Sequence, residues 1–111
     1  MVFGVFDGLH PGHRHFLREA SLQCKELVVV VARDAVVERL KQKTPRRALT
    51  ERMEEIRAFD ERFIVVPGDD TEGTWSVLEA HRPDAVFVGH DQEALTRALA
   101  KLIPTIHISH S

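Results

Sequence analysis

A single three-layer α/β domain, five parallel strands with helices on both faces, is predicted by three observations. Strand-like and helix-like stretches alternate along the whole chain, the pattern of strands joined by helical crossovers. The run Leu27 to Ala32 is continuous and Val-rich rather than alternating, the mark of a strand covered on both faces. The 111 residues hold no internal repeat, low-complexity segment or linker, and that length closes one hydrophobic core but not two. The domain is therefore expected to be residues 1–111.

Met1 to Phe6 reads as the first strand, cut off by the turn pair Asp7-Gly8. From Pro11 the period changes to that of a helix, with Phe16, Leu17, Ala20 and Cys24 on one face and Arg14, Arg18, Glu19 and Lys25 on the rest. Leu27 to Ala32 is the second strand. Asp34 is placed to cap a short helix through Leu40, and a basic loop from Lys41 to Ala48 follows, broken by Pro45. Thr50 is the expected N-cap of a helix with Leu49, Met53 and Ile56 as its apolar positions. Phe63 to Val66 is the third strand, stopped by Pro67-Gly68. The acidic residues Asp69, Asp70 and Glu72 lead into a helix carrying Trp75 and Leu78. Ala85 to Val88 is the fourth strand. Asp91 is expected to cap a last helix with Leu95, Ala98, Leu99 and Leu102 inward, and Thr105 to Ile108 is the fifth, short strand.

Composition removes several classes of function. Hydrophobic residues at 43% and charged residues at 29% are the balance of a folded globular chain, not a disordered or collagen-like one. The longest purely apolar run has six residues, too few to span a bilayer or to form a signal-peptide core, so no membrane partner is expected. One cysteine, Cys24, excludes a disulfide framework and a multi-cysteine zinc site, and points to the reducing cytoplasm. The net charge of −2 argues against a general nucleic-acid binder. Seven histidines, and eleven arginines against four lysines, are the oddities left.

In a doubly wound sheet ligands sit beyond the carboxyl ends of the strands. Those ends are Asp7 to His13, Arg33-Asp34, Gly68 to Asp70, Gly89 to Gln92 and Ser109 to Ser111, and most of the unusual residues fall there. The strongest signal is Gly4-Val5-Phe6-Asp7-Gly8-Leu9-His10-Pro11-Gly12-His13. Pro11 keeps His10 out of helical conformation and suits the first helical position itself. His10 and His13 then flank a helix start, where free N–H groups and the positive dipole end attract phosphate, while Gly12 leaves room for its approach. Two imidazoles there can donate to oxygens that gain charge in phosphoryl transfer. A metal site from His10, His13 and His15 fits less well: His15 is out of step with His13, and no carboxylate or thiolate joins them. The second feature is the stretch from Arg39 to Arg47, with five basic residues and no acidic one. Read alone, it is a solvated loop, a phosphate clamp or an RNA patch. The third is Gly89-His90-Asp91-Gln92, where Gly89 ends a strand and Asp91 caps a helix.

These residues resemble the cytidylyltransferase-like nucleotidyltransferases, whose HxGH motif lies within GxFDxxHxGH. The likeness continues through Val30-Val31-Ala32-Arg33-Asp34, Leu40-Lys41-Gln42-Lys43-Thr44-Pro45, Glu51-Arg52, Pro83-Asp84 and Gly89-His90-Asp91-Gln92, over nearly the whole chain. It is similar to the small members, archaeal-type FAD synthases and glycerol-3-phosphate cytidylyltransferases. Two departures are mild: Val5 stands where threonine is usual, and His90 where tyrosine is. The resemblance implies a Rossmann-like domain that transfers AMP or CMP from ATP or CTP to a phosphate-bearing acceptor and releases pyrophosphate. The expected acceptor is FMN, and the alternatives are glycerol 3-phosphate or a module that binds nucleotide without turnover. It also implies catalytic roles for His10, His13, Lys41 and Lys43, the lysines coming from a mobile loop over the reacting phosphates. Nucleotide and phosphate contacts are implied for Val5, Phe6, Asp7, Gly12, Arg52, Gly89, Asp91, Gln92, Ser109 and Ser111. Mg²⁺ is expected to ride on the triphosphate with Asp7 nearby, and a homodimer is expected. The family's serine- and threonine-rich segment after the fifth strand is matched only by Ile108-Ser109-His110-Ser111, so the chain is expected to stop inside that motif.

Overall fold

The computed structural model describes residues 1–9, 11–42, 44–69, 76–81, 85–88, 97 and 107–110, with residues 40, 41, 78, 79 and 107–110 described as backbone. Strands β1 (Val2–Gly4), β2 (Val28–Val31), β3 (Ile64–Pro67), β4 (Ala85–Val88) and β5 (His107–His110) form one sheet in the order β3-β2-β1-β4-β5. Every pairing is parallel, with Val2 opposite Val29 on one side and Phe87 on the other. Helices α1 (Pro11–Leu22), α2 (Asp34–Lys41), α3 (Leu49–Phe59) and α4 (Ser76–His81) occupy the crossovers.

Parallel strands buried on both sides need apolar side chains at every position, and alternate residues then face opposite layers. Val2, Val29, Val31 and Phe87 pack with Leu17 and Ala20 of α1 and Met53 and Ile56 of α3. Met1, Val30, Val86 and Val88 pack on the other face, against Val77 of α4 among others. The β2 run Val28-Val29-Val30-Val31 thus feeds both layers, and three layers follow. The five-stranded parallel sheet with helices on both faces agrees with the sequence expectation.

Strand order reverses direction at β1: the chain moves outward through β2 and β3, then returns to lay β4 on β1's other side. The crevice of a doubly wound sheet opens at such a switch point, beyond the carboxyl ends. Here those are the ends of β1 and β4, so the segment from Val5 to Leu9 lies at the place where a ligand would enter.

Several boundaries differ from the sequence reading. β1 stops at Gly4, because Phe6 takes a left-handed backbone conformation (φ 52°) and turns its ring into the core. Asp34 is the first residue of α2 and Arg33 its N-cap, without a side-chain capping bond. Thr50 is the second residue of α3, and Ala48 is the N-cap. Cys24 lies beyond the end of α1, its thiol 3.3 Å from the Ala20 carbonyl oxygen. β5 runs from His107 to His110, so Ser109 lies inside the strand, paired with Phe87, rather than after it. Trp75 and the last helix expected after Asp91 fall outside the described residues, apart from Arg97.

The turn of Phe6 makes Gly4 indispensable. A Cβ built on Gly4 would stand 2.7 Å from the Phe6 ring, which is itself 3% exposed and has nowhere to move. Gly4→Ala is expected to destabilise the fold by about 1–3 kcal/mol through overpacking. A denaturant melt checks it; a midpoint equal to wild type would mean that the ring relocates freely.

Candidate active site

The loop from Val5 to Leu9 is held by a set of bonds reaching from distant parts of the chain. At its centre is Arg52 on α3, fully buried. Its Nη1 donates to the carbonyl oxygens of Val5 at 2.9 Å and Ala32 at 2.8 Å, which follow the ends of β1 and β2. Its Nε donates to the Arg47 carbonyl oxygen at 3.0 Å, and Nη2 donates to the Asp34 carboxylate. A buried guanidinium must find acceptors for its fork of donors, and one carboxylate with three carbonyls does so.

Asp7 reaches the same segment from the other side. Its carboxylate accepts the backbone N–H of Arg46 at 2.8 Å and that of Arg47 at 3.0 Å. The Arg46 N–H is the main cause that holds this carboxyl below its ordinary range; desolvation opposes it, and the Arg47 N–H and the charges of Arg52 and Arg46 add to the lowering. Glu55 completes the set, accepting the Leu9 N–H at 3.4 Å and pairing with the Arg47 guanidinium at 3.6 Å. Gly8, at φ 86°, lies so close beneath Arg47 that a Cβ there would meet Nη1 at 2.6 Å. Residues 5–9 and 46–55 therefore form one bonded unit at the carboxyl end of the sheet.

His13, the third residue of α1, stands over this unit. Its Nδ1 lies 3.2 Å from the Gly8 carbonyl oxygen, and its ring meets Phe6 edge-on at 5.4 Å. A carbonyl only accepts, so Nδ1 carries the hydrogen, and Nε2 can donate to an anion only when the ring is an imidazolium. The imidazole is thus oriented by backbone and aromatic contact before any ligand arrives. Gly12 occupies the exposed first turn beside it.

The sequence-predicted residues divide accordingly. Val5, Asp7, Gly12 and His13 come together at the switch point. Phe6 is there too, but its side chain belongs to the core. Lys41 ends α2 rather than starting a loop. Arg52 departs from the expected phosphate contact: full burial and four bonds to protein acceptors make it a structural tie. Arg33, at one of the strand ends where the sequence points to ligand contacts, donates from Nε to the Gly68 carbonyl oxygen at 2.8 Å. His10, Lys43, Gly89, Asp91, Gln92 and Ser111 lie outside the described residues, as does the side chain of Ser109. Glu55 was not singled out by sequence, and Arg47 only as part of the basic stretch, since their partners come from segments far away along the chain.

Among the described residues no group of three or more His, Cys, Asp or Glu side chains could hold a metal ion. Both Asp7 oxygens already accept a backbone N–H, so the donor set here does not make a protein-built magnesium cage. Among the same residues no helix is long and apolar enough to cross a membrane.

The family model for cytidylyltransferase-like proteins matches residues 1–108. An FAD synthase of Aciduliprofundum boonei is 44% identical over 98 residues, which cover 84% of this chain and 61% of that protein. An FAD synthase of Pyrococcus abyssi is 36% identical over 106 residues, covering 96% and 72%. The chain thus spans roughly two thirds of these relatives' length. A crystal structure described as a lipopolysaccharide core biosynthesis protein from Thermoplasma volcanium superposes with a TM-score of 0.83 at 32% identity, covering 99% of this chain and 92% of that one. With residues 1–108 matching the family model and the fold superposing on a solved relative, the chain belongs to the cytidylyltransferase-like family.

Proposed function

We propose that the protein is a nucleotidyltransferase of the FAD-synthase kind, transferring AMP from ATP to the phosphate of FMN. The observation that carries this reading is the pre-oriented His13 at the first turn of α1, beside the switch point of a sheet whose relatives include FAD synthases. In this reaction an oxygen of the acceptor phosphate attacks the α-phosphorus of the nucleotide. A new P–O bond forms, the bond between α-phosphorus and bridging oxygen breaks, and pyrophosphate leaves with the electron pair. The acceptor is already an anion, so no strong general base is needed; orientation and charge neutralisation do the catalysis.

The chain's residues suit those tasks. The N-terminus of α1 offers backbone N–H groups to phosphate oxygens. His13, as an imidazolium, donates from Nε2 to an oxygen gaining charge, and His10 acts from the preceding position. Lys41 and Lys43 supply cations to the β- and γ-phosphates. Val5, Gly12, Gly89, Asp91 and Gln92 border the nucleotide, and Ser109 and Ser111 contribute from β5 and beyond. Mg²⁺ enters as part of the nucleotide substrate. The enzyme acts in the reducing cytoplasm as a homodimer.

Glycerol 3-phosphate with CTP is the second reading, favoured by the basic stretch around Lys41-Gln42-Lys43. One panel decides: pyrophosphate release with ATP and CTP, each against FMN, glycerol 3-phosphate, phosphocholine, phosphoethanolamine and phosphopantetheine. Turnover with ATP and FMN alone is the expected result. Nucleotide binding without turnover in any pair would make the chain a binding module.

A further inference from the structure

We propose that Asp7 is a positioning residue, whose carboxylate sets the basic segment 44–48 against the loop from Val5 to Leu9 and so places Arg46 over bound phosphates. The inference rests on the nucleotidyl-transfer reading for its consequence, but not for its geometry. Asp7 accepts two successive backbone N–H groups, those of Arg46 and Arg47, each at 3.0 Å or less. Arg47 is then gripped three times: its N–H by Asp7, its carbonyl oxygen by Arg52 and its guanidinium by Glu55. The small residue Gly8 lets that guanidinium lie directly on the loop. The same arginine that holds Arg47 also holds Val5, two residues before Asp7. A carboxylate so used orders a backbone; a metal-binding carboxylate would instead present its oxygens to the ligand space.

Its neighbours explain why a charged acceptor is placed there. Segment 44–48 carries two consecutive arginines, both exposed, whose like charges repel each other. Charge-assisted bonds to backbone N–H groups are stronger than neutral ones, and they order the segment without engaging the Arg46 guanidinium, while that of Arg47 pairs with Glu55.

The test compares wild type with Asp7→Ala and Asp7→Asn, using hydrogen–deuterium exchange and steady-state kinetics. In Asp7→Ala the amides of residues 46 and 47 should exchange about tenfold faster, as expected when a charge-assisted bond is lost. Asp7→Asn keeps one acceptor oxygen and should recover part of that protection. In kinetics the KM for the nucleotide should rise about tenfold in Asp7→Ala with a smaller change in kcat, while the Mg²⁺ concentration for half-maximal rate stays at the wild-type value. Unchanged exchange at residues 46 and 47 would overturn the proposal. A shifted Mg²⁺ requirement at unchanged nucleotide KM would overturn it as well, in favour of a metal role. Wild-type protein without turnover for any substrate pair would remove the transferase reading alone, and the exchange measurement would still decide the tether.

Discussion

His13→Ala is expected to lower turnover at least about 100-fold while leaving the fold intact. The loss follows from removing a donor aimed at developing charge, worth about 3–4 kcal/mol in comparable sites. The stability cost should be moderate, because the ring is only half-buried, bonding the Gly8 carbonyl oxygen and meeting Phe6 edge-on. Substrate binding should weaken far less than turnover, since the interaction strengthens as charge moves onto the leaving group. His13→Asn offers a shorter donor from the same helical position and should recover a fraction of the rate. The measurement is kcat for pyrophosphate release beside a thermal melt of each variant. Full activity in His13→Ala would refute a catalytic imidazole here.

The orientation of that imidazole shows what one sequence can and cannot disclose. The start of α1 at Pro11, with His13 in its first turn after a strand, was legible because it depends on local rules. Proline sets the helix start, and a helix start favours anions. The strand positions were legible for the same reason: runs of valine reveal burial on both faces without any knowledge of partners. Boundaries failed where a tertiary contact decided them. Phe6 ends β1 early because its ring finds the space over Gly4. Asp34 forgoes a capping role because its carboxylate meets Arg52 from eighteen residues away.

Arg52 is the sharpest case. Its place in Glu51-Arg52 resembles a family position that binds phosphate, and charge alone suggests an outward side chain. Only the folded chain shows two carbonyls past β1 and β2, and a third at Arg47, converging on one point. Three backbone acceptors that the sheet cannot satisfy need a donor with a planar fork. Arginine has that shape and lysine does not. No local pattern encodes such a convergence, because it is a property of strand ends brought together by topology.

Arg52→Met should therefore cost stability first. Methionine fills much of the same volume but leaves the Val5, Ala32 and Arg47 carbonyl oxygens without their donor. Asp34 loses its partner too, although its side chain is 45% exposed and can turn to water. Each abandoned acceptor away from water typically costs about 1–3 kcal/mol, and three are abandoned, so a loss of at least about 3 kcal/mol is expected. For a domain of this size that lowers Tm by well over about 10 °C. Arg52→Lys keeps the charge but cannot span four acceptors in one plane, and should recover less than half of the loss. The exposed pair Arg62–Asp60 is the control. Arg62 is 82% exposed, and Arg62→Met should melt close to wild type, because an exposed pair contributes little. If Arg52→Met melted like wild type yet bound ATP at least tenfold more weakly, the guanidinium would be a phosphate ligand after all. Lost stability with nucleotide affinity retained in the folded fraction would identify it as the post on which the loop after β1 stands.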